Sequence, residues 1–322
     1  MKILIYNSGG GLGDSIQLFD IVNSLKNKFG IGNIFYLSSH KNHFNNSLKD
    51  YNIPLNEFKT DIIYFGFRLW HLFCSTKKIL NKNSIDNFDL IIDLQSKVRN
   101  TLILKRIPTK QFYSSTFNFK FSSKSKNFIS TKFNNLNILP NLEKLLDTEI
   151  PLIKYNINSI ERKFFDEANR LLPKNNYVGF SVTQGNEYRK KTWSINKFIS
   201  VAKKLKELNK KPVFFVEKQY SQLINKIKME VEDVIFPELD SHLSGPPLVT
   251  ALSSKLEKAI TIDNGVMHMM GLADIPMIVI FGPTNSKKFA PKKNNINILD
   301  SKILYNSKDI SKITEQDVLN LI

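Results

Sequence analysis
The stretch Ala259–Pro291, AITIDNGVMHMMGLADIPMIVIFGPTNSKKFAP, decides the fold. It begins with a strand-length apolar run, Ala259 to Ile262, and turns at Asp263-Asn264-Gly265. A helical segment from Val266 to Ala273 leads into a second apolar run, Met277 to Phe281, closed by Gly282-Pro283. Strand, tight turn, helix and strand in that order form the repeating unit of a parallel α/β sheet. Ligands bind such sheets beyond the carboxyl ends of the strands. Those ends carry Asp263 and Asn264 after the first strand, and Thr284 and Asn285 after the second. The helix between them starts with free backbone N–H groups and a partial positive charge, which suits a phosphate.

The same alternation extends outward through the chain. Upstream in the second half, Ser159 to Leu172 reads as a helix and Tyr177 to Val182 as a strand. A polar loop, Thr183 to Lys191, precedes an amphipathic helix capped by Ser194. Val213 to Val216 reads as a strand, Gln219 to Val231 as a helix, Val234 to Phe236 as a short strand and Pro247 to Ser254 as a helix. In the first half, Lys2 to Tyr6, Asn33 to Leu37, Ile62 to Phe65 and Leu90 to Leu94 read as strands, with a helix from Ser15 to about Phe29. The segment from Lys105 to Phe133 mixes lysines with aromatics and reads as short strands and loop. Glu149 to Asn158, around Pro151, reads as a linker. The expected architecture is α/β, with two Rossmann-like domains, residues 1–152 and 153–322, whose parallel sheets face a central cleft. The last helix is a candidate to pack back on the first domain.

A length of 322 residues suits two domains, and 42% hydrophobic content with 24 Phe suffices for two cores. The single cysteine, Cys74, allows no internal disulfide and fits a reducing compartment. Met1 to Tyr6 is too short for a signal peptide, and no apolar run approaches the ~20 residues of a membrane span. A soluble cytoplasmic protein is expected, with peripheral contact at the inner membrane as a second option. The net charge of +17 points to anionic partners, or to a genome rich in Lys and Asn. Its scatter along the chain argues against a dedicated nucleic-acid patch.

The glycine-rich turn after the first strand, Asn7 to Asp14, fails as a dinucleotide loop. GxGxxG starting at Gly9 needs glycine where Asp14 stands, and Leu37-Ser38-Ser39-His40 closes the second strand without an acidic residue. GxxxxGK[ST] fails as well. The turn instead presents Asp14 at a helix start.

These residues carry a family resemblance along nearly the whole chain. Gly11-Leu12-Gly13-Asp14, Asp93-Leu94-Gln95 followed by Arg99, and Lys191-Thr192-Trp193 are three of its marks. The fourth and most specific is Asp263-Asn264-Gly265 with His268, then Ile275-Pro276, Phe281-Gly282-Pro283-Thr284 and Pro291. The chain resembles glycosyltransferase family nine, the lipopolysaccharide heptosyltransferases, which have a GT-B fold. It departs from the family at Asn264 (usually Thr), at Met269 and Met270 (usually small) and at Ser194 (usually Pro), differences that bear on the donor more than on the fold. The resemblance implies an inverting, metal-independent transferase that moves heptose from ADP-heptose to a lipopolysaccharide core or related surface-glycan acceptor. The alternatives are a UDP- or GDP-sugar donor, a sugar-nucleotide epimerase of similar build, or a basic nucleic-acid-binding protein.

Transfer from a nucleotide diphosphate needs a base for the acceptor hydroxyl, positive charge for the departing diphosphate, and alignment of the two substrates. The resemblance makes Asp14 the base; with Gln17 three residues on, it also reads as a helix cap. Lys191 is the phosphate clamp or a solvated loop lysine, with Thr183 and Gln184 as supporting hydrogen-bonders. Asp263, Asn264, Gly265 and Val266 form the helix start for the diphosphate, Asn264 doubling as N-cap. His268 contacts the donor by resemblance, or is a packed core histidine. Glu217, after its strand, is placed to bind ribose, and Thr284 joins the donor side. Gly13, Gln95 and Arg99 are assigned to the acceptor. The donor is a co-substrate, so no cofactor is expected; no His, Cys or carboxylate cluster has metal-ligand spacing, so no metal is expected either.

Overall fold
The computed structural model describes residues 1–7, 11–30, 32–38, 42–95, 97–126, 138–184 and 191–322. Ser8–Gly10 of the glycine turn, His40, part of the basic aromatic stretch and the Arg189-Lys190 pair lie outside the described residues. The chain divides into two compact units, Met1–Tyr155 and Asn156–Ile322.

Unit 1 is built on β1 (Ile3–Asn7), α1 (Leu12–Ile16), α2 (Phe19–Phe29), β2 (Ile34–Ser38), β3 (Asn56–Glu57), α3 (Thr76–Leu80), β4 (Phe88–Asp93), α4 (Val98–Leu104), β5 (Thr109–Ser114) and α5 (Ile138–Leu146). Its strands pair in parallel in the order β3-β2-β1-β4-β5. All five residues of β1 are buried, as a central parallel strand covered on both faces requires. Leu4, Tyr6, Ile91, Phe88, Ile103 and Phe112 fill the core on one face of this sheet.

Unit 2 contains α6 (Arg162–Leu171), β6 (Tyr177–Ser181), α7 (Ile195–Glu207), β7 (Lys211–Phe215), α8 (Ser221–Glu230), α9 (Pro237–Asp240) and α10 (Pro246–Ser253). It continues with β8 (Leu256–Ile262), α11 (Gly265–Leu272), β9 (Met277–Phe281), α12 (Ser286–Phe289), β10 (Ile296–Asp300), α13 (Ser301–Leu304) and α14 (Glu315–Leu319). The strand order is β10-β9-β8-β6-β7, again parallel. Trp193 is wholly buried, stands edge-on to Phe198 at 4.8 Å, and donates its indole N–H to the Ile313 carbonyl at 2.9 Å. An aromatic pair of this geometry adds about 0.5–1.5 kcal/mol beyond its area. The last helix, α14, packs against α7 of its own unit.

Several local expectations need correction. Ile62 to Phe65 is a surface turn with Ile63 exposed, so its apolar content does not make a strand. The expected Ser15–Phe29 helix is two helices, α1 and α2, separated at Gln17-Leu18. Val234 to Phe236 contributes a single bridge, Ile235 to Val213, and Ser194 precedes α7 without a side-chain cap hydrogen bond. No helix among the described residues is long and apolar enough to cross a membrane.

Each sheet reverses its strand order once, between β1 and β4 in unit 1 and between β6 and β8 in unit 2. A crevice opens at such a reversal because the two connections leave in opposite directions, and ligands bind there.

Candidate active site
Several of the polar residues singled out in the sequence gather at these two reversals. In unit 2, Asn264 follows β8 and caps α11: its Oδ1 accepts from the Met267 N–H at 2.8 Å. Its Nδ2 reaches across to β6, donating to Ser181 Oγ at 2.7 Å and to the Thr183 carbonyl at 2.8 Å. One amide therefore starts the helix and fastens it to the neighbouring strand. The first N–H groups of α11 have no intrahelical partners, a consequence of helix geometry. A side chain at Gly265 would meet nothing within 4 Å, so the space beside this helix start is open.

Lys191 stands beside it. Its Nζ donates to Asp263 Oδ2 at 2.6 Å and to the Asp263 carbonyl at 3.3 Å, and its backbone N–H donates to Gln184 Oε1 at 2.9 Å. The two side chains are only 13% and 7% exposed, so this is a sheltered ion pair and not a solvated loop lysine. His268, one turn into α11, is buried. Burial pushes its pKa down to about 4; Asp263 opposes the shift and Lys191 adds to it. The imidazole is neutral at pH 7, one nitrogen donating and the other accepting. Val266 is the second residue of α11 and partly buried. Thr284 lies past β9, and its Oγ1 is buried with no hydrogen-bond partner among the described residues.

Glu217 follows β7, an edge strand of the sheet. It is exposed two residues beyond β7 and accepts from Gln219 Nε2 at 2.6 Å. Glu238 on α9, which sequence reasoning missed, has its pKa pushed up to about 7, first by burial and then by the charge of Glu217. Ser181 was missed as well.

In unit 1, Gly13 is buried as the second residue of α1 and Asp14 is the third. The helix begins at Leu12 after Gly11, so the reading of Asp14 as N-cap with Gln17 as partner is corrected: Asp14 lies within the first turn. A Cβ on Gly11 would sit 3.2 Å from Asp14 Oδ2, so a side chain there would press on the carboxylate. Asn7, at the end of β1, accepts from Gln95 Nε2 at 3.1 Å, and its Nδ2 approaches the Asp14 carbonyl at 3.5 Å. Asn7, Asp14 and Gln95 thus meet at the β1–β4 reversal.

Asp93 supports this group from below. It is fully buried, and its carboxylate accepts from Gln95 N–H at 2.9 Å, Thr101 Oγ1 at 2.6 Å and Ser114 Oγ at 2.8 Å. Burial raises its pKa to about 6 against the lowering effect of those hydrogen bonds. Tyr36 on β2 has its phenol raised to about 12, chiefly by burial, with the charge of Asp14 contributing. Arg99 lies in the first turn of α4; its Nε is buried without a hydrogen-bond partner among the described residues, and its charge helps to lower the His71 pKa. Among the described residues no group of three or more His, Cys, Asp or Glu side chains is placed to hold a metal ion.

Two parallel five-stranded α/β units, each with its polar group at the strand-order reversal, define the GT-B architecture. The chain belongs to glycosyltransferase family 9 (heptosyltransferase), whose model matches residues 77–319, and it is a glycosyltransferase. The structure is similar to the glycosyl transferase family 9 protein of Veillonella parvula, with a TM-score of 0.67 and 19% identity over 99% of this chain and 95% of that one. It is similar to the E. coli heptosyltransferase WaaC with ADP, with a TM-score of 0.65 and 14% identity over 100% and 97%. It is also similar to the E. coli ADP-heptose lps heptosyltransferase II, with a TM-score of 0.62 and 15% identity over 100% and 97%. By sequence, no curated protein matches it.

Proposed function
We propose that this glycosyltransferase is inverting and metal-independent, and that it moves heptose from ADP-heptose to a lipopolysaccharide core or related surface-glycan acceptor. Its family is described by heptosyltransfer, and two of the similar structures are named for ADP or ADP-heptose. The observation in this chain that carries the reading is the sheltered Lys191–Asp263 pair at the start of α11, beside the open space at Gly265.

In the proposed step, Asp14 takes the proton of the acceptor hydroxyl. The hydroxyl oxygen attacks the anomeric carbon from the face opposite the nucleotide. The bond from that carbon to the diphosphate oxygen breaks, and its electron pair leaves with the diphosphate. Lys191 and the N–H groups of Gly265 and Val266 stabilise the charge that develops there, the task a metal ion has in other transferases. Asp263 orients Lys191, and Asn264 holds the helix start in place. Thr183, Gln184, His268 and Thr284 are assigned to the donor, Glu217 to the ribose hydroxyls, and Gly13, Gln95 and Arg99 to the acceptor. The acceptor is proposed to be lipid-linked and met at the cytoplasmic face of the inner membrane.

Ribose and diphosphate are common to ADP, UDP and GDP, so the base must be read by binding. A thermal-shift panel of ADP, ADP-heptose, UDP and GDP tests this. ADP and ADP-heptose are expected to raise Tm, since a ligand at 100 times its Kd adds about 2.7 kcal/mol. A shift with UDP or GDP alone would replace the donor. No shift with any of the four would contradict the nucleotide-sugar reading.

A further inference from the structure
Large apolar side chains are concentrated on the surface of unit 1. Within residues 63–73, Ile63 is 77% exposed, Leu69 65%, Trp70 63% and Phe73 82%. A 3-10 turn, Leu69–Phe73, presents the last three, and α4 packs beside it with Val98 and Leu102 also exposed. Contiguous apolar surface of this kind marks an interaction site.

The exposure is built into the fold. Ile62, Phe65 and His71 are buried beneath the segment, and Tyr6 Oη donates to the Phe65 carbonyl at 3.3 Å. Gly66 has φ +81°, and a Cβ there would lie 2.7 Å from Tyr6 Oη and 2.9 Å from Asn100 Oδ1. Glycine is therefore required where the segment presses on the sheet. The Arg106 guanidinium at the end of α4 donates to the Leu72 carbonyl. These ties hold the backbone against the core and turn the apolar side chains outward.

Charge identifies the occupant. Between Asp61 and Asp86 the chain carries four cations, Arg68, Lys77, Lys78 and Lys82, and no carboxylate. Between Asp93 and Glu143 it carries nine Lys and Arg and again no carboxylate. The Arg68 guanidinium lies 5.6 Å from the Trp70 ring centroid. Lys82, Lys110 and Lys124 are paired with Asp61, Asp89 and Asp147, which leaves the two stretches with a net positive charge. Trp and Phe beside Arg68 in a net basic stretch suit the headgroup level of an anionic bilayer, where rings enter the interface and cations meet lipid phosphates. A symmetric second copy fits less well, because a two-fold contact through this patch would set its cations against themselves.

We propose that the 63–73 segment and the outward face of α4 form a docking surface for an anionic lipid bilayer. The proposal rests on the reading of a lipid-linked acceptor and gives that acceptor a place of approach to unit 1.

The test uses the full chain with phosphatidylcholine vesicles, with and without about one-third phosphatidylglycerol, at about 0.15 M salt. Anionic vesicles are expected to pellet the protein and neutral ones to pellet far less. Combining Leu69→Ser, Trp70→Ser and Phe73→Ser is expected to lower the vesicle partition coefficient about tenfold or more. These side chains are exposed, so Tm should hold. The chain has two tryptophans, and Trp193 is wholly buried. Emission should therefore shift to the blue on adding anionic vesicles, and the shift should be absent in Trp70→Phe. Wild-type protein that stays in the supernatant, or a triple variant that pellets as well as wild type, would overturn the proposal. A concentration-dependent dimer lost in the triple variant would overturn it too, by assigning the surface to a second copy. The nucleotide panel contains no lipid, so failure of the transferase reading would appear there and failure of docking here.

Discussion
Lys191→Met is expected to lower kcat/KM for sugar transfer by about 10²–10³-fold, the usual cost of removing one preorganised donor from a developing oxyanion. The cation is sheltered and held 2.6 Å from Asp263, so it needs little reorganisation as charge appears on the diphosphate. The same substitution leaves Asp263 sheltered without its partner, and breaking such a pair destabilises the fold. Measuring kinetics and thermal unfolding on the same preparation separates the two effects. A lower Tm with unchanged kcat/KM would make Lys191 a structural ion-pair partner only.

The second large effect is expected at Asp14. Asp14→Asn is nearly isosteric and removes the ability to take a proton, so turnover should fall by about 10²–10⁴-fold. Donor affinity should be unchanged, because Asp14 is assigned to the acceptor hydroxyl and no donor contact is assigned to it. Stability should change little, since a carboxylate in a helix's first turn contributes about 0.3–1 kcal/mol. Single-turnover transfer alongside ADP titration checks this. A variant that kept most of its activity would reduce Asp14 to a helix-terminal charge.

The parts of the fold readable in the sequence are those whose burial imposes an unbroken apolar run. β1, β8 and β9 are central, covered on both faces, and stood out for that reason. Among the edge strands, β7 also read as an apolar run, whereas β5 and β10 did not. β5, with sequence TKQFYS, and β10, with INILD, are partly exposed and carry polar residues, so neither forms an apolar run. Ile62 to Phe65 misled in the opposite direction: Ile62 and Phe65 are buried while Ile63 and Tyr64 between them are exposed in a turn, an arrangement that an apolar run does not separate from a strand.

The candidate site divides in the same way. Asp263-Asn264-Gly265 announced a turn and helix start because those residue types have local conformational reasons to be there. Ser181 has no local signal, and Asp93, though part of the Asp93-Leu94-Gln95 mark, has none for its supporting role. Ser181 is an ordinary strand residue until the sheet order sets β6 beside β8 and brings Asn264 within 2.7 Å. Asp93 gains its role only when Thr101 and Ser114, 8 and 21 residues away, close around it. Such contacts arise from topology, and one sequence carries no local trace of them.

The central claim is that unit 2 holds a nucleotide diphosphate at the start of α11. A crystal structure of the protein with ADP bound tests it most directly. The expected result places the diphosphate oxygens within about 3.2 Å of Lys191 Nζ and of the N–H groups of Gly265 and Val266. ADP bound elsewhere, with Lys191 still paired to Asp263 alone, would contradict the account.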